Sequence, residues 1–244
     1  MTDLPLVSRP QWRVGALVPP ANPTVEVEYP ALLPAAAALH AMRLPVVAGD
    51  LDTRNLAYLD SYVSCLQGFG SLKLDGAVIA LTGSQYRIGH QEDLRRCEQL
   101  SERFGMPVET ASSALARALR HLGITRISMV SPYPDWLTEL AIAYWRGAGV
   151  QVDHVEHFAD ELVAYKVSPA EVAQRLASVQ AHPDGAVLLS GTGMPTIESI
   201  MQAGTGKQVP ILSSNLCSIW SISRTLGIPH PEWMARAFPW LCTA

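Results

Sequence analysis

The segment Asp75-Gly76-Ala77-Val78-Ile79-Ala80-Leu81-Thr82-Gly83-Ser84 recurs as Asp184-Gly185-Ala186-Val187-Leu188-Leu189-Ser190-Gly191-Thr192-Gly193. Each copy runs from an acidic-glycine start through an unbroken apolar stretch to a tip of hydroxyls and glycines. Such a run is the pattern of a strand buried on both faces of a parallel sheet. Its recurrence points to one supersecondary unit used twice. Two further pairs keep the same order. Arg13-Val14-Gly15-Ala16-Leu17-Val18-Pro19 pairs with Arg126-Ile127-Ser128-Met129-Val130-Ser131-Pro132, and Pro107-Val108-Glu109-Thr110 pairs with Pro210-Ile211-Leu212-Ser213.

Between these anchors the pattern alternates. Strands are expected near 13–18, 39–46, 76–81, 107–109, 125–131, 150–157, 185–190 and 209–212. Helices are expected near 24–34, 55–69, 91–104, 112–121, 135–147, 168–179, 195–203 and 216–226. Short apolar strands alternating with amphipathic helices give an α/β fold with parallel sheets covered on both faces. The expected architecture is two doubly wound lobes related by a pseudo-twofold axis. Residues 1–110 with 215–244 would form the N-terminal lobe and 111–214 the C-terminal lobe. The carboxyl ends of both sets of strands would then surround one shared cleft, where open α/β sheets bind ligands.

Composition narrows the partners. With 244 residues, 48% hydrophobic and 16% charged, the chain has material for a large core, and its net charge of -4 gives no face for nucleic acid. No apolar run approaches the roughly 18 residues of a membrane span, and Met1 to Trp12 lacks a signal-peptide core. Cys65, Cys97, Cys217 and Cys242 have neither metal nor disulfide spacing, which fits a reducing, cytoplasmic setting. No cofactor or metal motif is present; Gly204-Thr205-Gly206-Lys207 lacks the leading glycine of a phosphate loop and precedes a strand rather than following one. His154 and His157 fall on opposite faces of an expected strand. The low-charge surface leaves room for a homo-oligomer.

Five segments follow expected strands and point at the cleft. In the first, Pro19 leads into Asn22 and Thr24, either of which can cap the next helix or meet a ligand. The second contains Thr82, Gly83, Ser84 and Tyr86, with hydroxyls and backbone N–H groups suited to a carboxylate. His90 follows it, as a helix start or as an acid–base group. The third presents Tyr133, a phenol able to donate to an anionic intermediate, and Asp135, in the place of Asn22 in the repeat. The fourth is Ser190-Gly191-Thr192-Gly193, and the fifth is Ser213-Ser214-Asn215. Cys217 starts the helix after it, where a helix N-terminus can favour a thiolate, although a lone cysteine among Leu216, Ile219 and Trp220 is also an ordinary core residue. Glu26 and Glu139 are expected to be solvated or cap-related.

Together, Val18-Pro19-Pro20-Ala21-Asn22-Pro23-Thr24, the two strand tips, Tyr133 and Ser213-Ser214-Asn215 resemble the aspartate/glutamate racemase superfamily, in its maleate cis-trans isomerase and arylmalonate decarboxylase branches. The resemblance runs from about residue 12 to 228. It implies two pseudo-symmetric lobes, and chemistry carried by a cysteine at one or both strand tips. Here the corresponding positions are Gly83 and Gly191, and no cysteine lies from 66 to 96 or from 98 to 216. Glycine neither transfers a proton nor attacks carbon, so two-base racemisation and thiol-addition isomerisation lose their reagent. The remaining expectation is a cofactor-independent enzyme acting on a small carboxylate through an enediolate, decarboxylase-like. Its cradle would be Asn22, Thr24, Ser84, Tyr133, Thr192, Gly193 and Asn215, with Tyr86, Tyr133, His90, Cys217 or water as proton donor. The missing side chains are expected to enlarge the cavity. Alternatives are a hydrolase or desulfurase acting on a hydantoin-like ring, and a non-catalytic carboxylate-binding protein.

Overall fold

A computed structural model describes residues 9–203 and 209–242. The Gly204-Thr205-Gly206-Lys207 motif and most of the Met1–Trp12 segment lie outside the described residues. The elements alternate as the sequence pattern predicts. The first four strands are β1 (Trp12–Val18), β2 (Ala37–Arg43), β3 (Gly76–Ile79) and β4 (Val108–Thr110), and they form a parallel sheet in the order β2-β1-β3-β4. The second set is β5 (Arg126–Ser131), β6 (Gln151–His157), β7 (Ala186–Leu189) and β8 (Ile211–Ser213), in the order β6-β5-β7-β8. The two orders are identical under the repeat, so the fold is α/β with two matching doubly wound lobes.

Helices make the crossovers that parallel pairing requires. They are α1 (Val25–Leu32), α2 (Leu51–Gln67), α3 (Gly83–Ile88), α4 (His90–Phe104), α5 (Ala111–His121), α6 (Asp135–Gly147), α7 (Pro169–Ser178), α8 (Thr196–Ala203) and α9 (Ser214–Leu226), followed by the short α10 (Glu232–Ala237) and α11 (Pro239–Cys242). Three differences from the sequence reading have simple causes. Residues 82–87 were expected as a loop, but β3 passes into α3 with hardly a break, and Gly89 at φ +80° ends that turn. Helix α2 starts at Leu51 rather than 55, because Asp50 accepts from the Thr53 N–H at 2.8 Å and so caps it. Strand β2 stops at Arg43, two residues before Pro45, which cannot donate to a ladder. Among the described residues, no helix is long and apolar enough to cross a membrane.

Successive residues of the strands serve different cores, as the period of two dictates. Ala16, Val18, Val78 and Ala80 join a large cluster that continues into the second lobe through Met129, Leu188 and Trp145. Leu17, Ala77 and Ile79 face the other way, onto Tyr58, Leu59 and Tyr62 of α2. Helix α9 follows the last strand of the second sheet, yet its Ile222 and Leu226 press on Gly76 of β3, and its Ser221 hydroxyl donates to Glu109 of β4 at 2.7 Å.

Asp93 and Glu109 are carboxyls enclosed by this packing. Asp93 accepts from Tyr144 Oη at 2.7 Å and Thr110 Oγ1 at 2.9 Å, and burial pushes its pKa up to about 7 against the pull of those donors and Arg96. Glu109 is likewise pushed up to about 7 by burial, against Ser221 and Arg117. A folded pKa raised above the unfolded value contributes stability that is complete below the unfolded pKa, near 4, and is lost as pH rises through about 7. Asp93→Asn resembles the protonated form and escapes that loss. The melting temperature of this variant relative to the native chain should therefore rise between pH 5 and pH 8; a flat difference in thermal melts would contradict the assignment.

Candidate active site

The carboxyl ends of β1, β3, β5 and β7 surround a cavity of about 180 Å³. This far exceeds the roughly 10–15 Å³ that a single water needs. Val46, Val47, Leu51, Leu137 and Leu162 give its lining an apolar part, and Arg54, Asn55, Gly83, Tyr133, Thr192 and Gly193 a polar one. Pro19, Pro20 and Ala21 form part of the wall, and Tyr58 and Tyr165 complete the lining. Of the expected site residues, Pro19, Gly83, Tyr133, Thr192 and Gly193 line this space.

Tyr133 is the group best placed for chemistry. The tip of β5 carries it to the cavity, and its hydroxyl pairs with Thr82 Oγ1 from the tip of the other lobe. Its ring stands edge-on to Tyr86 at 6.2 Å. Burial raises its pKa well above that of a free phenol, so it stays protonated and able to donate.

Other expected residues stand behind the wall and hold it. Asn22 Oδ1 accepts from the Thr24 and Val25 N–H groups at 2.9 and 3.1 Å, capping α1, while its Nδ2 donates to Thr192 Oγ1 at 3.0 Å. Thr24 donates to the Gly193 carbonyl at 2.6 Å, and Thr192 to the Ala80 carbonyl at 2.8 Å. Ser84 donates to the Asn55 carbonyl at 2.7 Å. Gly191 N–H donates to Ser214 Oγ at 3.1 Å, and Ser213 caps α9. Asn215 donates to the Thr192 carbonyl at 3.1 Å and to Glu28 at 2.6 Å. These bonds tie the strand tips of one lobe to those of the other.

Three expected donors are not at the cavity. Tyr86 is buried between the lobes with its hydroxyl 2.7 Å from Ser190 Oγ, and burial moves its pKa up to about 12. His90 begins α4 on another face, edge-on to Tyr144, and burial lowers its pKa, with Arg120 adding to the effect. Cys217 is the clearest correction. It is fully buried in the core, and desolvation pushes its thiol up, outweighing the bond from the helix start that pulls the other way.

The glycines do not leave the empty space expected of them. A Cβ on Gly83 would lie 2.9 Å from Asn55 Oδ1, and one on Gly191 would lie 2.9 Å from Tyr133 Oη. Gly191 also has φ +93°, which side-chain-bearing residues rarely adopt. An amide and a phenol therefore stand against the two strand tips. At Gly193, any side chain would run into the Tyr165 ring.

Several site residues escaped the sequence reading. Asn55, Arg54 and Tyr58 lie on α2, and Tyr165 lies between β6 and α7. None follows a strand tip, and no motif marks them. Arg43, at the end of β2, holds the wall by donating to the Pro19 and Asn22 carbonyls at 3.0 and 2.8 Å. Glu28 accepts four hydrogen bonds from Thr196, Ile197 and Asn215. Burial raises its pKa, and those bonds oppose the rise. His154 and His157 approach different carboxylates, Glu156 and Asp135, each at 3.6 Å.

Comparison with known proteins agrees with this geometry. Over 234 residues the chain is 25% identical to maleate isomerase of Pseudomonas putida, covering 89% of this chain and 92% of that protein. It is 26% identical over 227 residues to arylmalonate decarboxylase of Bordetella bronchiseptica, covering 88% and 90%. Among solved structures, maleate isomerase Iso of Pseudomonas putida S16 with maleate superposes with a TM-score of 0.82 at 24% identity, covering 96% of this chain and 98% of that one. The arylmalonate decarboxylase family model matches residues 14–238, so the chain is an enzyme belonging to the arylmalonate decarboxylase family, within the maleate isomerase and arylmalonate decarboxylase branch of the aspartate/glutamate racemase superfamily.

Proposed function

We propose that the cavity decarboxylates a small malonate-type acid bearing an apolar substituent. The observation that carries this reading is a cavity lined by a protonated phenol and by no thiol. Cys65, Cys97, Cys217 and Cys242 are all absent from its lining. A solved maleate cis-trans isomerase of Nocardia farcinica holds a covalently bound succinylcysteine intermediate. That route has no nucleophile here, whereas loss of carbon dioxide requires only charge stabilisation followed by protonation. In the proposed step the bond from the central carbon to one carboxylate breaks and carbon dioxide departs. The bonding pair moves into the remaining carboxylate, giving an enediolate. Donors at the Thr82–Tyr133 pair and the neighbouring backbone stabilise the developing charge. Tyr133 then passes its proton to the carbon and is reprotonated from water. Val46, Val47, Leu51 and Leu162 hold the apolar substituent.

The test uses 2-methyl-2-phenylmalonate in heavy water, followed by NMR. Its quaternary carbon has no exchangeable hydrogen, so any deuterium on the product carbon was delivered at the site. Carbon dioxide release with one deuterium per product supports the proposal. Conversion of maleate to fumarate without carbon dioxide release from any malonate would overturn it.

A further inference from the structure

Two neighbours on α2 remain without a task in this scheme. Arg54 is the one charged side chain among the described residues lining the cavity. Its Nε reaches the Asp50 carbonyl at 3.2 Å, which steadies the side chain, and the exposed Asp50 carboxylate feels its charge. Asn55, the next residue, is 2% exposed, and its Nδ2 has no hydrogen-bond partner. A buried donor left unsatisfied costs about 1–3 kcal/mol, and here a ligand oxygen in the cavity would complete it. The Asn55 amide lies against Gly83, where a side chain at the first strand tip would begin. Tyr133 lies against Gly191 on the opposite side.

Resting on the reading above, we propose that Arg54 and Asn55 form an anion subsite on the α2 wall, separate from the Thr82–Tyr133 cradle. It holds a second carboxylate of the substrate. An amide cannot exchange protons with carbon, so this wall orients and selects while chemistry proceeds from the Tyr133 side. The guanidinium supplies the charge and the amide a fixed direction. A single cation on the cavity wall selects doubly charged acids over their singly charged analogues.

The test is calorimetric titration with 2-phenylsuccinate and 3-phenylpropionate, which share one skeleton and differ by one carboxylate. Neither is a malonate, so binding is read without turnover. The native chain should bind phenylsuccinate at least tenfold more tightly. Arg54→Met should weaken phenylsuccinate by tenfold or more and change phenylpropionate by less than twofold, and Arg54→Lys should recover part of the loss. Asn55→Ala should weaken phenylsuccinate severalfold. Because Arg54 is only half-buried, its variants decide the matter even where Asn55→Ala folds poorly. Equal binding of both acids by the native chain, no measurable binding of either, or an equal effect of Arg54→Met on both, would overturn the subsite. Carbon dioxide release without charge selectivity would sink this subsite and leave the lyase standing. Charge selectivity without carbon dioxide release would do the reverse.

Discussion

Tyr133→Phe should slow carbon dioxide release from 2-methyl-2-phenylmalonate by about 10²–10³-fold, the scale seen when one preorganised donor to an oxyanion is removed. The substitution deletes one oxygen and keeps the ring that packs against Tyr86. The fold loses only the pairing with Thr82, a net contribution of about 1 kcal/mol. The loss should appear in kcat, because Tyr133 acts on charge that develops only after the substrate is bound. Tyr86→Phe is the matched control. It removes a hydroxyl of equal size that bonds Ser190 and lies outside the cavity lining, and its rate should change by less than tenfold. Equal rates for the native chain and Tyr133→Phe in a carbon dioxide assay would remove Tyr133 from the mechanism.

Glu28→Leu should destabilise the folded chain by about 3–5 kcal/mol, because several buried donors would lose their acceptor at a cost of about 1–3 kcal/mol each. The carboxylate is 7% exposed and joins α1 of the first lobe to the start of α8. Without it, the Thr196 and Ile197 N–H groups lose their acceptor, and so does one donor of the Asn215 amide. That amide also holds the Thr192 carbonyl, so the damage extends to the cavity wall. Glu26→Leu, two residues away, breaks only an exposed pair with Arg43 and should cost less than about 1 kcal/mol. Urea unfolding of both variants checks the contrast, and similar midpoints would refute it.

The pair Glu26 and Glu28 also shows where reading from sequence stops. Duplicated apolar runs revealed both sheets, because burial on two faces demands continuous hydrophobicity. The strand-tip loops were legible for the same reason, and Pro19, Gly83, Tyr133, Thr192 and Gly193 do line the cavity. Yet Val25-Glu26-Val27-Glu28 offers two acidic residues in alternation, and nothing local says which one turns inward. That depends on α8, which is distant in sequence. Arg54 and Asn55 were hidden in the same way. They occupy an ordinary amphipathic helix, and only the approach of β3 and its Gly83 makes Asn55 part of the site. Cys217 stayed open between thiolate and core residue because its position in the helix was visible and its complete burial was not.

The contacts at Gly83 and Gly191 bear on how such a chain could change its chemistry over time. A thiol at 191 would need a new backbone conformation and the retreat of Tyr133, while a thiol at 83 would need Asn55 to withdraw first. Each exchange to cysteine therefore calls for a second adjustment, of the backbone and Tyr133 at 191 and of one side chain at 83.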